Sequence, residues 1–508
     1  MTRRSAALLA VLAVILATVT GALFSSHRSS AHEPHFAPTL TLSVGTPTGR
    51  AIPAGFLGLS VEYPALAAYA GTDPRAVNPV LVQLLRNLSP GQAPNLRIGG
   101  DSTDSTWWAV PGVAKPYGIK YTLTPRWVHV TAALARELGA RLILGINLEL
   151  NSARDAAAET GALVDGIGRS SIVGLEPGNE PELYGSFSFY RLPDGQHVTG
   201  RPSGYAFSDY LRDFNRIAAS LPKLALVGPA TGGPRWIPEL PAFLNAEPGV
   251  RVATLHKYPL QTCFIDPSQP QFPTISHLLS PLASRGLADS IARFVRVAHA
   301  HRVALRIDEM NTDSCGTAPG VSNAFSSALW ALDAVFQMAR VGVDGVNLHT
   351  YPRATYELFR FTHRAGRWSG FVAPEYYGLQ MFAEAAPPGA RLLAVSGATG
   401  NVRAWATRGP DGTVRVVLIN DDTSRSQTVA VRIPAVSGTA TLTRLLGKGV
   451  SARSGVTLGG QSYGTVTSTG LLAGHAAIAT VSKTSRGYIV KLPRTSAAML
   501  TIAPRAPA

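Results

Sequence analysis

The 508-residue chain is 45% hydrophobic and only 15% charged, which excludes a disordered protein and allows a large core in two or three domains. Its formal charge of +15 would suit a polyanion such as an acidic polysaccharide, and equally a solvated basic surface. No dense Lys/Arg run with interleaved aromatics is present, so nucleic acid is not an expected partner. The chain opens with Arg3 and Arg4, runs apolar over 6–24 and turns polar at Ser25, Ser26, Ser29 and Ser30. That is the pattern of a secretory signal over residues 1–31, cleaved near Ser29-Ser30-Ala31, and a secreted protein is expected. The apolar run is long for such a signal, so an uncleaved N-terminal membrane anchor is the alternative.

Residues 32–55 form a polar lead-in with one alternating stretch, 39–44, whose period of two predicts a strand at the edge of a sheet elsewhere. From residue 56 short apolar runs alternate with helical spacing. The runs are 56–61, 95–98, 141–148, 172–175, 224–228, 252–255, 303–307 and 343–348, and the helical stretches include 79–88, 125–138, 153–167, 205–221, 291–300 and 324–341. Strands alternating with helices imply a parallel sheet with right-handed crossovers, and eight repeats close a (β/α)8 barrel over 56–385. An open doubly wound sheet would need a Gly-rich phosphate loop after the first strand, and 56–63 has none. Residues 386–508 read as alternating strands divided by turns, such as Gly409-Pro410-Asp411-Gly412, and predict a C-terminal all-β sandwich that the 39–44 strand joins.

In such a barrel the working groups hang from the C-terminal ends of the strands. The shortlist is Glu62 and Tyr63 after the first strand, Arg97, Gly99, Gly100 and Asp101 on the second, and Asn147 and Glu149 on the third. Asn179 and Glu180 follow on the fourth, His256, Lys257 and Tyr258 on the sixth, Glu309 and Asn311 on the seventh, and His349 and Tyr351 on the eighth. All are expected to converge on one mouth. Two strand-end glutamates suffice to cleave a glycosidic bond, one donating a proton to the leaving oxygen and the other attacking the sugar carbon or activating water. Glu176 shares the parity of Glu180 but lies inside the barrel wall, where a structural pairing is expected. Asp308 has the opposite parity to Glu309 and is expected to face the helical layer. His256 and His349 are read as hydrogen-bonding groups, and no metal or cofactor is expected, since no His-x-x-x-His or carboxylate cluster accompanies them.

Asn179-Glu180-Pro181 at the fourth strand and Glu309 at the seventh resemble the large clan of retaining glycosidases built on this barrel. The likeness narrows with Leu96-Arg97-Ile98-Gly99-Gly100-Asp101, Pro177-Gly178-Asn179-Glu180-Pro181, Leu255-His256-Lys257-Tyr258, Pro374-Glu375-Tyr376-Tyr377-Gly378 and the stretch from Gly320 to Asp333. Together these resemble glycoside hydrolase family 79, the heparanases and β-glucuronidases. The resemblance implies Glu180 as acid/base, Glu309 as nucleophile, and glucuronate contacts from Glu62, Asn179, Tyr258, Gly316 and Tyr376, with Arg97 and His256 in support. It implies a β-linked glucuronide substrate, cleaved through a covalent glycosyl-enzyme. Neutral-sugar specificity on the same machinery, heparanase-like internal cleavage and a non-catalytic carbohydrate-binding barrel are the alternatives. In the family a Tyr-Gly-Gly-like loop holds the sugar carboxylate; here 311–317 keeps Gly316 but shows no obvious tyrosine or second glycine. Cys263 follows the sixth strand and Cys315 the seventh, so their loops are neighbours. A disulfide bracing the rim is expected, two free thiols being the alternative.

Overall fold

The computed structural model describes residues 37–508 apart from 316–317, 435 and 505–508. The signal or anchor expected over 1–31 lies outside the described residues. Among those described, no helix is long and apolar enough to cross a membrane.

Eight parallel strands close a barrel in chain order: Leu57–Val61, Asn95–Ile98, Arg141–Ile146, Ile172–Pro177, Leu226–Thr231, Val250–Lys257, Ala304–Met310 and Gly345–Thr350. These are the eight apolar runs of the sequence. Closure comes where Leu226 of the fifth strand pairs with Leu175 of the fourth, and the first strand pairs with the eighth from Leu57 to Val61. The strands are apolar on both faces because one face fills the barrel and the other meets the helices. Local sequence sets the helix starts. Asn78 caps Pro79–Leu88 by accepting from the N–H groups of Val80 and Leu81, and Thr124 caps Pro125–Leu138 by accepting from that of Trp127. Both helices place proline at their first position, where a missing N–H costs nothing. Gly139, at φ 62°, ends the second of them in the left-handed conformation that glycine adopts without strain.

Among the described residues, eleven further strands form one sheet with its own apolar core, which includes Leu42, Val416, Val431, Leu442, Val490 and Leu500, and the others pair off in two-stranded sheets. The N-terminal strand Leu40–Ala51 joins the two halves of the eleven-stranded sheet. Residues 40–43 run parallel to Gln427–Arg432, and Ser43 to Ala51 run antiparallel to Arg391–Ser396 through two irregularities. Such interruptions bend a strand, which lets it pass from one layer of a sandwich to the other. The last barrel helix, Pro374–Ala385, packs with Phe325–Val341 against this β layer. Phe336 stacks on Trp405 at 5.3 Å, and the Trp405 indole N–H donates to Asp333 at 2.8 Å.

Candidate active site

Arg97 fills the barrel centre beneath the mouth, with no exposure to solvent. Its Nε donates to Glu176 at 2.7 Å, Nη1 to Glu309 at 2.7 Å and Nη2 to Asn179 at 2.8 Å. Nε also lies 3.1 Å from Asp308. A planar guanidinium suits this position because its fixed fork reaches three strand ends at once. Glu176 therefore has the structural pairing its sequence position implied, and it also accepts from the Thr254 hydroxyl at 2.8 Å.

Asp308 is a correction. It does not face the helices; it is buried in the barrel with Arg97 and His256, its Oδ1 3.6 Å from His256 Nε2. The cause is in the strand register. The seventh strand pairs Ile307 with Leu255 but Glu309 with His256, and Ile307 with Val346 but Met310 with Leu348. One extra residue in a strand breaks the alternation of faces, so two neighbours turn inward. Burial, and then the neighbouring Glu176, hold the Asp308 carboxyl well above the usual carboxylate range. For Glu176 burial works the same way, but Arg97 overcomes it and lowers the pKa.

Above this layer are the two glutamates. Glu180 follows the fourth strand at φ 45°, a left-handed conformation that strains a residue with a Cβ. Its N–H is held by the Ala230 carbonyl at 2.8 Å, and the preceding N–H, of Asn179, donates to Asp104 at 2.9 Å. Glu309 accepts from Arg97 and, on its other oxygen, from the Tyr258 hydroxyl at 2.8 Å. Glu180 meets His256 Nδ1 at 2.9 Å. One oxygen of each glutamate and a His256 nitrogen lie within 4.8 Å of one another. Both His256 nitrogens face carboxyl groups, Nδ1 that of Glu180 at 2.9 Å and Nε2 that of Asp308 at 3.6 Å, which favours the protonated ring. Its pKa is raised to about 10: burial opposes the charge, but Glu309, Asp308 and the Glu180 hydrogen bond outweigh it. Glu309 is driven the other way. Burial would raise it, yet His349, His256, Arg97 and the Tyr258 hydroxyl together hold it far below the ordinary range.

Glu62 accepts from the N–H groups of Asp101 at 3.1 Å and Ser102 at 2.8 Å, and lies 3.3 Å from His349. Gly100, at φ 98°, is what lets this loop close: a Cβ there would lie 2.4 Å from a Glu62 oxygen. Glu62, Asn179, Glu180, His256, Lys257, Tyr258, Glu309, His349 and Tyr351 line one cavity of about 710 Å³. Tyr63, Asn147 and Asn311 do not reach it. The Tyr63 hydroxyl donates to the Gly145 carbonyl, Asn147 to the Asp104 and Thr106 carbonyls, and Asn311 to that of His349. Tyr376 is a second correction. It is wholly buried on the outer side of the barrel, donating to the Leu84 carbonyl at 2.6 Å with its ring against Tyr463 of the β layer. Gly316 lies outside the described residues. Cys263 and Cys315 are bonded, with their Cα atoms 5.8 Å apart.

Sequence reading missed Asp104, which accepts from the N–H groups of Leu148, Glu149 and Asn179 and from the Tyr184 hydroxyl, and so ties three strand ends together. It also missed the rim phenylalanines Phe187, Phe189 and Phe264. Asp104 had a signal in its position just past the second strand; the phenylalanines had none.

Residues 404–499 match the family model described as the glycosyl hydrolase family 79 C-terminal beta domain. A β-glucuronidase of Neurospora crassa is 23% identical over 369 residues, which cover 66% of this chain and 64% of that protein, so the chain spans less than two thirds of it. A β-glucuronidase of Aspergillus niger is 22% identical over 514 residues, 88% of this chain and 91% of that one. Among solved structures, a 4-O-α-L-rhamnosyl-β-D-glucuronidase from Fusarium oxysporum superposes with TM-score 0.71 at 21% identity, covering 91% of this chain and all (100%) of the other. A family 51 arabinofuranosidase from Xanthomonas axonopodis does so with TM-score 0.61 at 15% identity, covering 91% and 100%. These likenesses in structure are likenesses of fold.

Proposed function

We propose that this chain, which belongs to glycoside hydrolase family 79, is a retaining β-glucuronidase in which Glu309 is the nucleophile and Glu180 the acid/base. The observation that carries this reading is the pair itself, two carboxyl groups with oxygens within 4.8 Å. Retention places them about 5–5.5 Å apart, while inversion needs about 6.5–9.5 Å to admit a water between them. Their surroundings divide the roles. Glu309, ionised by the cations around it, attacks the anomeric carbon as the C–O bond to the leaving group breaks. Glu180 gives its proton to the departing oxygen, then takes one from the water that hydrolyses the glycosyl-enzyme and regenerates both groups. Asn179, oriented by Arg97, meets the sugar 2-hydroxyl, and Glu62 meets hydroxyls farther along the ring.

A cation beside the sugar ring suits a uronate, through a charge-assisted hydrogen bond. Lys257 lines the cavity, and among the described residues it has no ion pair or hydrogen-bond partner. Burial lowers its pKa. An unpaired, mostly buried ammonium is costly until a ligand carboxylate neutralises it, so Lys257 stands in for the loop that departs from the family pattern. The Neurospora crassa and Aspergillus niger relatives are β-glucuronidases, which supports the same substrate here. Export fits the Cys263–Cys315 bond, since disulfides persist in oxidising compartments.

A panel of aryl β-glycosides tests the reading. Glucuronide is expected to be turned over far faster than glucoside or xyloside, with the β-anomer released first as seen by proton NMR. Lys257→Met is expected to lower kcat/KM on glucuronide at least about 10-fold, the worth of a charge-assisted contact, and to leave the glucoside unchanged. Good turnover of the neutral sugars with none of the glucuronide would defeat the assignment.

A further inference from the structure

The cavity of about 710 Å³ is the size of a pocket for a drug-sized molecule, larger than a single sugar ring requires. Its lining is of two kinds. Around Glu309 stand Arg97, Tyr258 and His349, with Glu62 beyond them. These groups are polar and suit the hydroxyls and carboxylate of the glucuronosyl ring. The loop that follows Glu180 in the chain supplies Phe187 and Phe189 to the same lining, and the loop after the sixth strand supplies Phe264. Phe264 is 68% exposed and Phe187 45%. Scattered surface aromatics need no explanation, but three phenyl rings from two loops lining one cavity, two of them in contact, offer an apolar wall to a ligand.

The wall is held in place. Phe187 and Phe264 meet edge to face, their centroids 6.1 Å apart and their planes at 90°. Phe189 packs on Tyr190 at 5.8 Å, and Tyr190 stacks on Tyr117 at 5.4 Å. Phe264 adjoins Cys263, whose disulfide to Cys315 ties it to the loop after the nucleophile strand. Thr262 donates to the Cys315 carbonyl at 3.0 Å, and Leu260–Gln261 pair with Asp313–Ser314. An aromatic corner fixed before binding costs a ligand little ordering.

We propose that Phe187, Phe189 and Phe264 form the aglycone subsite and that it takes a flat aromatic leaving group, a phenol-derived aglycone. The placement rests on the assignment of Glu180 as proton donor, because the group whose oxygen it protonates must lie on its side of the scissile bond. The chemistry follows from the side chains. Phenyl rings offer faces and edges to another ring but no hydroxyl or N–H to a sugar. A third ring laid in the corner stacks on one phenyl and meets the edge of the other, the two arrangements aromatic pairs prefer. The disulfide is a positioning element for Phe264.

Two measurements test this. In the first, 2-naphthyl β-glucuronide, trifluoroethyl β-glucuronide and a disaccharide with a β-linked glucuronate are compared on the native enzyme, on Phe187→Ser, on Phe264→Ser and on a Cys263→Ser/Cys315→Ser double variant. Each phenylalanine variant is expected to lose about 2–10-fold in kcat/KM on the naphthyl substrate, the fold-change an aromatic pair is worth. The loss should appear mainly in KM, with the trifluoroethyl substrate unchanged, and the double-cysteine variant should behave like Phe264→Ser. In the second, 2-naphthol is titrated by fluorescence into the native protein and Phe264→Ser, and weaker binding to the variant is expected whether or not any substrate turns over. Equal losses on all three substrates with unchanged naphthol binding would overturn the subsite while leaving the β-glucuronidase reading intact. A loss confined to the disaccharide would make the wall a sugar platform and overturn the aromatic occupant. No turnover of any glucuronide, with Phe264-dependent naphthol binding, would sink the β-glucuronidase reading and keep the subsite.

Discussion

Arg97→Met tests the charge arrangement beneath the site. The native guanidinium, itself without exposure to solvent, touches Glu176 and Glu309 at 2.7 Å each and Asp308 at 3.1 Å. Methionine fills much of the same volume and removes the charge. Breaking a buried pair by deleting one partner costs about 3–5 kcal/mol, because the other charge stays behind unpaired. An unfolding entropy of about 2.1 cal/mol/K per residue gives roughly 1 kcal/mol/K for a chain of this size, so the melting temperature should fall by about 3–5 °C. The deficit should depend on pH with a definite sign. In the native protein Glu176 and Glu309 are held below their unfolded values. Their stabilisation is therefore complete above about pH 4.3, the unfolded glutamate pKa, and fades only as pH falls through the lower folded values. Without Arg97 the folded pKa values rise, so the variant is penalised fully at pH 7.5 and much less at pH 4.5. Activity should drop at least about 100-fold at neutral pH, since Glu309 and Asn179 each lose a charge-assisted hydrogen bond worth about 1.5–3 kcal/mol. Thermal melts at the two pH values and kcat/KM on an aryl glucuronide decide the matter. The same melting deficit at both pH values would mean that packing, not charge, is what Arg97 supplies. No deficit at all would refute the reasoning.

Azide separates the two glutamates: with a reactive aryl glucuronide, Glu180→Ala is expected to yield the β-glucuronosyl azide and Glu309→Gly the α-azide, read by NMR, and the reverse outcome would exchange their roles. Tyr258→Phe removes a hydroxyl that helps hold Glu309 ionised. At about 1.36 kcal/mol per pKa unit the acidic limb of the kcat/KM profile should move up by about 1–2 units, and an unmoved limb would show that Glu309 does not set it. Tyr376→Phe should cost about 1 kcal/mol of stability through its lost bond to the Leu84 carbonyl and leave kcat/KM unchanged; a loss of activity at native stability would restore Tyr376 to the substrate site.

The barrel was legible because its signals are local and repeated. Eight apolar runs, each buried on both faces, and helices marked by Asn78, Pro79, Thr124, Pro125 and Gly139 need no knowledge of the whole to be placed. The strand-end rule then brings Glu180 and Glu309 to one mouth without any distance being known. What stayed hidden depends on pairs of elements. The place of Tyr376 is decided by which face of its helix meets the β layer, and the periodicity of the helix alone, buried nearly all round, does not choose one. Phe187 and Phe264 become a corner only when two loops far apart in the chain are brought together, and nothing in either loop announces the other.

Asp308 carries the same lesson into the chemistry. Alternation within Ala304–Met310 turns it outward, and only the register against Val250–Lys257 and Gly345–Thr350 exposes the extra residue that turns it in. Turned outward, it would leave His256 without a second carboxyl group, and the ring would have less reason to hold a proton beside Glu180. Turned inward, it adds a carboxyl to a barrel that already holds Glu176 and Glu309 around Arg97, and burial and the neighbouring Glu176 raise its own pKa. The irregularity in the strand thus shapes the site: it sets a second carboxyl group 3.6 Å from His256 Nε2, on the other side of the ring from the Glu180 contact at 2.9 Å.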